Sequence, residues 1–283
     1  MTRPSRVSPI EIAPGVRCGD GEPLLVVAGT CVVESRDSAL RHAEALREFT
    51  AKLKLPLVFK ASYDKANRTS HQSFRGPGIV EGLAILSEVK RRFDVPVISD
   101  VHEAAQCAEA AAVLDVLQIP AFLCRQTDLL MAAAATGRVV SVKKGQFLAP
   151  WDARAIVEKL HIGGAARVML TERGASFGYN NLVADMRSIP VMRSFGVPVV
   201  FDATHSVQRP GGLGHASGGD AEFIPTLARA AVAAGADAIF FEVHEDPTQA
   251  LSDGPNALHL ELVPALLQEL MAIHAIVRGR GLR

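Results

Sequence analysis

Eight short apolar runs, separated by amphipathic segments rich in Ala and Leu, constrain this chain more than any other feature. The runs are Leu24–Ala28, Leu57–Ala61, Pro96–Ser99, Val116–Ile119, Val139–Lys143, Arg167–Thr171, Pro198–Asp202 and Ala238–Val243. Such runs suit parallel strands covered by helices on their outer face. The segments between them, for example Ser38–Leu53, Gly78–Phe93 and Glu222–Ala234, have the pattern of amphipathic helices. A chain of 283 residues holds one large α/β barrel or two ordinary domains. Eight strand–helix units predict a (β/α)8 TIM barrel, with residues 1–283 as a single domain; two separate α/β domains are the alternative. Residues 7–23 alternate apolar and turn-forming residues and read as a short N-terminal β-hairpin. No linker or low-complexity stretch divides the chain.

Acidic and basic residues balance at 30 each, which leaves no electrostatic footprint for nucleic acid or an anionic membrane. No apolar run reaches the roughly 18 residues that a bilayer crossing needs, so no membrane partner is expected. The N-terminal Met1-Thr-Arg-Pro-Ser-Arg6 is basic but lacks the following apolar region of a signal peptide. Cys18, Cys31, Cys107 and Cys124 are irregularly spaced, which points to reduced thiols and a cytoplasmic protein.

In a barrel of this class the active site lies at the carboxyl ends of the strands. Residues with chemical capacity do follow the strands here: Cys31 and Glu34, Lys60 to Ser70, Asp100 and His102, Gln118 and Arg125, Lys143 and Lys144, Glu172 and Arg173, Asp202 and His205, Glu242 and His244. Loops at the opposite end, such as Leu53–Pro56 and Phe93–Pro96, are short and plain. The densest cluster is Lys60-Ala-Ser-Tyr-Asp-Lys-Ala-Asn-Arg-Thr-Ser70. Holding it in place is costly unless an anion occupies it, the alternative being a solvated loop.

Two constellations emerge. Lys60, Lys65, Arg68, Lys143 and Arg173 converge on one mouth and would repel one another without anions between them. Phosphate and carboxylate fit best, with arginine supplying forked contacts and lysine point charges. The alternative is pairing in structural salt bridges with Glu172, Asp100 or Asp64. The second set is Cys31, His205, Glu242 and Asp253, from strands that become neighbours when a barrel closes. A thiolate, an imidazole and two carboxylates suit a borderline divalent ion such as Zn, Fe, Mn or Co. No short-range spacing supports it, and Cys31 taken singly reads as a small packed residue. His42, His161, His259 and His274 read as surface or packing residues. The glycine-dense Gln208–Gly219 is either a mobile cover or a long loop, and it lacks the spacing of a nucleotide motif.

Several stretches carry a resemblance: Phe59–Ser70, Ser73–Gly78, Ser99–Glu103, Leu117–Asp128, Val142–Phe147, Thr171–Gly174, Phe201–Ser206 and Ser252–Pro255. Through these the chain resembles the 3-deoxy-D-manno-octulosonate 8-phosphate (Kdo 8-phosphate) synthase family over about residues 24 to 270. Lys65-Ala-Asn-Arg68 is the specific part, separating this family from related phosphoenolpyruvate-using barrels. The resemblance implies condensation of phosphoenolpyruvate with D-arabinose 5-phosphate for lipopolysaccharide, with release of phosphate by C–O cleavage. It assigns Lys60, Lys65 and Gln118 to the phosphoenolpyruvate end, with Lys143 and Arg173 on its phosphate. Asn67, Arg68 and Thr69 are assigned to the pentose phosphate. Residues near Phe122 and Arg125 are expected to reach a neighbouring subunit's site in a homotetramer. Cysteine rather than asparagine at position 31 implies the metal-dependent class, with His205, Glu242 and Asp253 as the other ligands. Lys60, Asp100 and His205 are the expected catalytic residues. A Schiff-base aldolase using Lys143 or Lys60, a synthase for another sugar, and a noncatalytic sugar-phosphate binder are the competing readings.

Overall fold

All eight apolar runs form strands in the computed structural model, which describes residues 7–68, 70–211 and 218–279. The chain opens with the antiparallel hairpin β1 (Ile10–Ala13) and β2 (Val16–Cys18), followed by β3 (Leu25–Gly29) and α1 (Arg36–Lys52). Next come β4 (Leu57–Lys60), α2 (Ile79–Phe93), β5 (Val97–Asp100), α3 (Gln106–Ala111), β6 (Val116–Ile119) and α4 (Thr127–Ala135). The middle of the chain gives β7 (Val139–Lys143), α5 (Arg154–Ile162), β8 (Val168–Glu172), the small pair β9 (Ala175–Ser176) and β10 (Leu182–Val183), and α6 (Ser188–Arg193). Last are β11 (Val199–Asp202), the pair β12 (Gln208–Arg209) and β13 (Gly218–Gly219), α7 (Ile224–Ala233), β14 (Ala238–His244), β15 (Leu258–His259) and α8 (Val263–Val277).

Strands β3 to β8, β11 and β14 pair in parallel, and β14 closes the circle by pairing with both β11 and β3. The expected (β/α)8 TIM barrel and N-terminal hairpin are therefore both present. Every residue of these strands is buried, as parallel strands under helices require. Alternation sorts each strand into two faces. Leu24, Val26, Phe59, Val140, Phe201 and Phe241 meet the helices in one apolar cluster. Leu25, Val27, Val58, Ile98, Val116, Val139, Met169, Val200 and Phe240 fill the barrel interior, and Ile12 and Cys18 of the hairpin join them from below.

Two residues further along several of these interior rows, apolar side chains give way to polar ones. Val58 is followed by Lys60, Ile98 by Asp100, Val116 by Gln118, Val200 by Asp202 and Phe240 by Glu242. The period of two thus stacks a charged layer on an apolar plug, at the carboxyl ends of the strands. Gly29 lets β3 approach β4 there, since a Cβ would run into the Lys60 carbonyl.

Two expectations need correction. The amino end is not plain: Asp20 and Asp237 meet Arg193 and Arg278 in a network beside the hairpin. A segment long and apolar enough to cross a membrane also exists, Leu260–Val277, with 18 residues and a mean hydropathy of 1.6. Polar residues interrupt it, which hid it from a search for an unbroken apolar run. It packs against α7 and α1 on the outside of the barrel, with Leu266, Leu267 and Leu270 buried.

Candidate active site

The charged layer forms the floor and walls of a cavity of about 950 Å³ at the carboxyl end of the barrel. Lys65, Asn67, Arg68, Asp100, Lys143, Arg173, His205 and Asp253 lie on its wall. Lys60, Gln118, Cys31 and Glu242 are buried beside them. Thr69 lies outside the described residues, as do 212–217 of the glycine-dense segment. Arg125 is exposed on the turn before α4 and does not line this cavity, whereas the neighbouring Phe122 stands on its rim.

The two constellations interleave. Lys60 Nζ donates to Glu242 Oε1 at 2.5 Å and to the Cys31 carbonyl at 2.8 Å, and Lys65 Nζ lies 3.4 Å from the same Glu242 oxygen. Arg68 donates to Asp253 Oδ1 at 3.1 Å and to Ser252 Oγ. Lys143 Nζ donates to Asp202 Oδ2 at 2.8 Å and lies 4.3 Å from the centre of the Phe240 ring. The expected salt-bridge partners Glu172 and Asp64 are occupied elsewhere, by Lys144 at 3.6 Å and Arg75 at 2.5 Å. The cations therefore pair with carboxylates of the candidate ligand set and with Asp202. Arg173 differs, since its side-chain partner is the neutral Gln208, at 2.9 Å.

Burial would raise the carboxyl pKa of Asp100, Asp202 and Glu242, but the cations around them win. Lys60, Lys65 and Lys143 hold Asp100 well below the usual carboxylate range. His205 and Lys143 do so for Asp202, and His205 with Lys60 for Glu242. Asp100 is also fixed by bonds from Ser62 at 2.5 Å and Gln118 at 2.7 Å. Desolvation pushes the Lys60 ammonium below its ordinary value despite Glu242.

Cys31 Sγ, a Glu242 oxygen and an Asp253 oxygen lie within 4.8 Å of one another. Sγ is 2.9 Å from Ser252 Oγ and 3.4 Å from Asp253 Oδ2. His205 stands just outside this group of three, with Nε2 3.5 Å from Glu242 Oε2. Its Nδ1 is 2.7 Å from Asp202 Oδ2, which orients the ring so that Nε2 faces Glu242. A thiol, two carboxylates and an imidazole oriented by a carboxylate make a donor set that fits a borderline divalent cation. Burial, and then Glu242, pushes the Cys31 thiol above its ordinary value.

The site also contains residues that sequence reading left without roles. Asp202 holds both Lys143 and His205, and its spacing of three residues before the histidine was the available signal. Ser252 lies between Cys31 and Arg68, and its place in the Ser252–Pro255 stretch was the only signal for it. His42 is buried in α1 and bonds across to the segment after β14, and His259 sits on the cavity wall.

The family model described as the DAHP synthetase I family matches residues 7–276. A protein of Trichlorobacter lovleyi named 2-dehydro-3-deoxyphosphooctonate aldolase is 64% identical over 263 residues, covering 93% of this chain and 97% of the relative. Proteins of the same name from Geobacter metallireducens and Cyanothece sp. are 61% and 59% identical, covering 95% and 93% of this chain and 99% and 97% of the relatives. The chain therefore belongs to the DAHP synthetase I family, among the 2-dehydro-3-deoxyphosphooctonate aldolases.

Proposed function

We propose that this protein condenses phosphoenolpyruvate with D-arabinose 5-phosphate and water, giving 3-deoxy-D-manno-octulosonate 8-phosphate and inorganic phosphate. The observation that carries the reading is a set of stranded polar atoms around the cavity. Arg68 Nε, His102 Nδ1 and Arg173 Nη1 are buried without hydrogen-bond partners, and all three residues line the cavity. Buried donors stay unpaired at a real cost, and phosphate oxygens are the acceptors that suit them.

In the reaction, C3 of phosphoenolpyruvate bonds to the aldehyde carbon, and the aldehyde oxygen takes up a proton. C2 becomes electron-poor and is captured by water, which loses a proton. The C2–O bond then breaks, and phosphate leaves as the C2 carbonyl forms. Arg173 and Lys143 hold the phosphate that departs, and Arg68 and Asn67, with Thr69, hold that of the pentose. Lys65 and Lys60 neutralise the phosphoenolpyruvate carboxylate, with Gln118 locking Asp100 beside it. Bringing two anions together is a large part of the catalysis, since water keeps them apart. Asp100, ionised and fixed, favours the charged forms of Lys60 and Lys65 beside it. Cys31, His205, Glu242 and Asp253 would hold a divalent cation of the Zn, Fe, Mn or Co type, which supplies Lewis acidity toward the aldehyde or water when bound.

The surrounding reading is a one-domain cytoplasmic enzyme of lipopolysaccharide precursor synthesis, assembled as a homotetramer with Phe122 and Arg125 near a partner's site. Phe122 on the cavity rim is exposed, as are Phe147 and Phe177 in the connections after β7 and β8, which suits association. A Schiff-base mechanism is disfavoured, because Lys60 and Lys143 are tied to Glu242 and Asp202. Phosphate release should require both phosphoenolpyruvate and arabinose 5-phosphate. Equal rates with erythrose 4-phosphate or N-acetylmannosamine would overturn the substrate assignment.

A further inference from the structure

The candidate cation site is assembled from two connections far apart in the sequence. The one after β3 supplies Cys31, and the one after β14 supplies Ser252 and Asp253. Glu34, three residues beyond Cys31, spans the two. Its Oε1 accepts the backbone N–H of Leu251 at 2.8 Å, and its Oε2 lies 3.2 Å from His244 Nε2. His244 Nδ1 accepts the N–H of Asp246 at 3.0 Å, so the ring proton sits on Nε2 and is donated to Glu34. His42 of α1 adds a parallel grip: its Nδ1 donates to the Ser38 carbonyl at 2.8 Å, and its Nε2 accepts the N–H of Glu245 at 3.2 Å. Backbone N–H groups of Glu245, Asp246 and Leu251 thus end on side chains anchored in α1, at Glu34 or at the end of β14.

The segment needs such holding. Asp253 sits in the left-handed region, φ 51° and ψ 29°, which a side chain bearing a Cβ adopts at a cost. Leu251 immediately precedes the pair Ser252–Asp253 that meets the Cys31 thiol. Both Glu34 oxygens are already engaged, and the side chain is only 13% exposed.

We propose that Glu34 is a positioning residue for the cation site, fixing Leu251 and so setting Ser252 and Asp253 at their distance from Cys31. One connection then both delivers the thiol and sets the position of the carboxylate. The inference rests on the reading of Cys31 and Asp253 as cation ligands. Metal-stripped protein titrated with Co²⁺ alone tests it, through the absorption band that a thiolate gives on cobalt. Glu34→Gln keeps one acceptor but sets an NH₂ against the His244 N–H. Leu251→Pro deletes the donated N–H, and Ala250 already has the extended backbone, φ −61° and ψ 130°, that a following proline demands. Each is expected to weaken Co²⁺ binding by about tenfold or more, as loss of an outer hydrogen bond does at metal sites. Arg41→Ala, which breaks only the outer Arg41–Glu245 ion pair, is expected to bind Co²⁺ within about twofold of the parent protein. Wild-type affinity in both Glu34→Gln and Leu251→Pro overturns the proposal while the ligand reading stands. Equal weakening in Arg41→Ala also overturns it, because any disturbance would then suffice. If Glu34→Gln fails to fold, Leu251→Pro decides. A parent protein that gives no thiolate band removes the ligand reading and this inference together.

Discussion

At the amino end of the barrel, Asp20 and Asp237 close on Arg193 and Arg278; at the carboxyl end, Lys60, Lys65, Arg68, Lys143 and Arg173 share a cavity with Asp100, Asp202, Glu242 and Asp253. Both ends bury charge, but only the upper cluster leaves an arginine without a carboxylate partner. In the lower network each acid meets both arginines, Asp20 also accepts the N–H of Val7, and Asp237 that of Val199. It ties the hairpin and α8 to the barrel floor and has no mouth. In the upper layer Arg173 faces a neutral partner, whereas Arg278 Nε, also without a hydrogen-bond partner, belongs to a guanidinium that two carboxylates hold. Buried charge as such therefore says little about function. The informative feature is which charges lack a local answer.

The largest expected effect breaks the lower network. Asp237→Ala leaves Arg193 and Arg278 to share Asp20 alone and the buried Val199 N–H without its acceptor, and should lower unfolding free energy by about 3–5 kcal/mol, measured by urea denaturation. A loss below about 1 kcal/mol would mean the network is not a structural latch. The matching change above is Arg173→Ala, expected to cut turnover by on the order of 10²–10³ while the urea midpoint stays near the parent value. A large stability loss there would erase the contrast between the ends. Ile12→Val trims the hairpin's contact with the barrel interior and should cost about 1 kcal/mol without affecting turnover.

A pH-dependent effect concerns Cys18, whose thiol is raised well above its ordinary value by burial and then by Asp237. The folded thiol stays protonated while the unfolded one ionises above about pH 8.5. Its contribution is thus fully present below that pH and is lost as pH rises toward the folded value, by at most about 1.4 kcal/mol per unit. Stability curves for the parent protein and Cys18→Ala should converge between pH 8.5 and 10. Parallel curves would show that the thiol is not held protonated by the fold.

Much of the barrel was legible because its code is local. Branched apolar runs mark the strands, and the switch from Val58 to Lys60 or from Phe240 to Glu242 marks where each strand reaches the site. What stayed hidden depends on distance. Cys31 and Asp253 are separated by 222 positions and Arg68 and Asp253 by 185, so no spacing reveals their contact. Barrel closure suggested Cys31, His205, Glu242 and Asp253 as a set, and the family resemblance turned the suggestion into an expectation. His42 read as an ordinary helix residue because its partner, the Glu245 backbone, comes 203 positions later. The amino-end network was missed for the same reason, since its residues sit in turns and a helix end with nothing unusual beside them.

Phosphate release from phosphoenolpyruvate plus arabinose 5-phosphate, measured before chelation, after it and after divalent metal add-back, tests the central claim most directly. The expected result is turnover that needs both substrates, disappears on chelation, returns with metal, and does not return in Cys31→Ala. Full activity in the stripped protein or in Cys31→Ala would contradict the cation site, and no phosphate release under any condition would contradict the reaction.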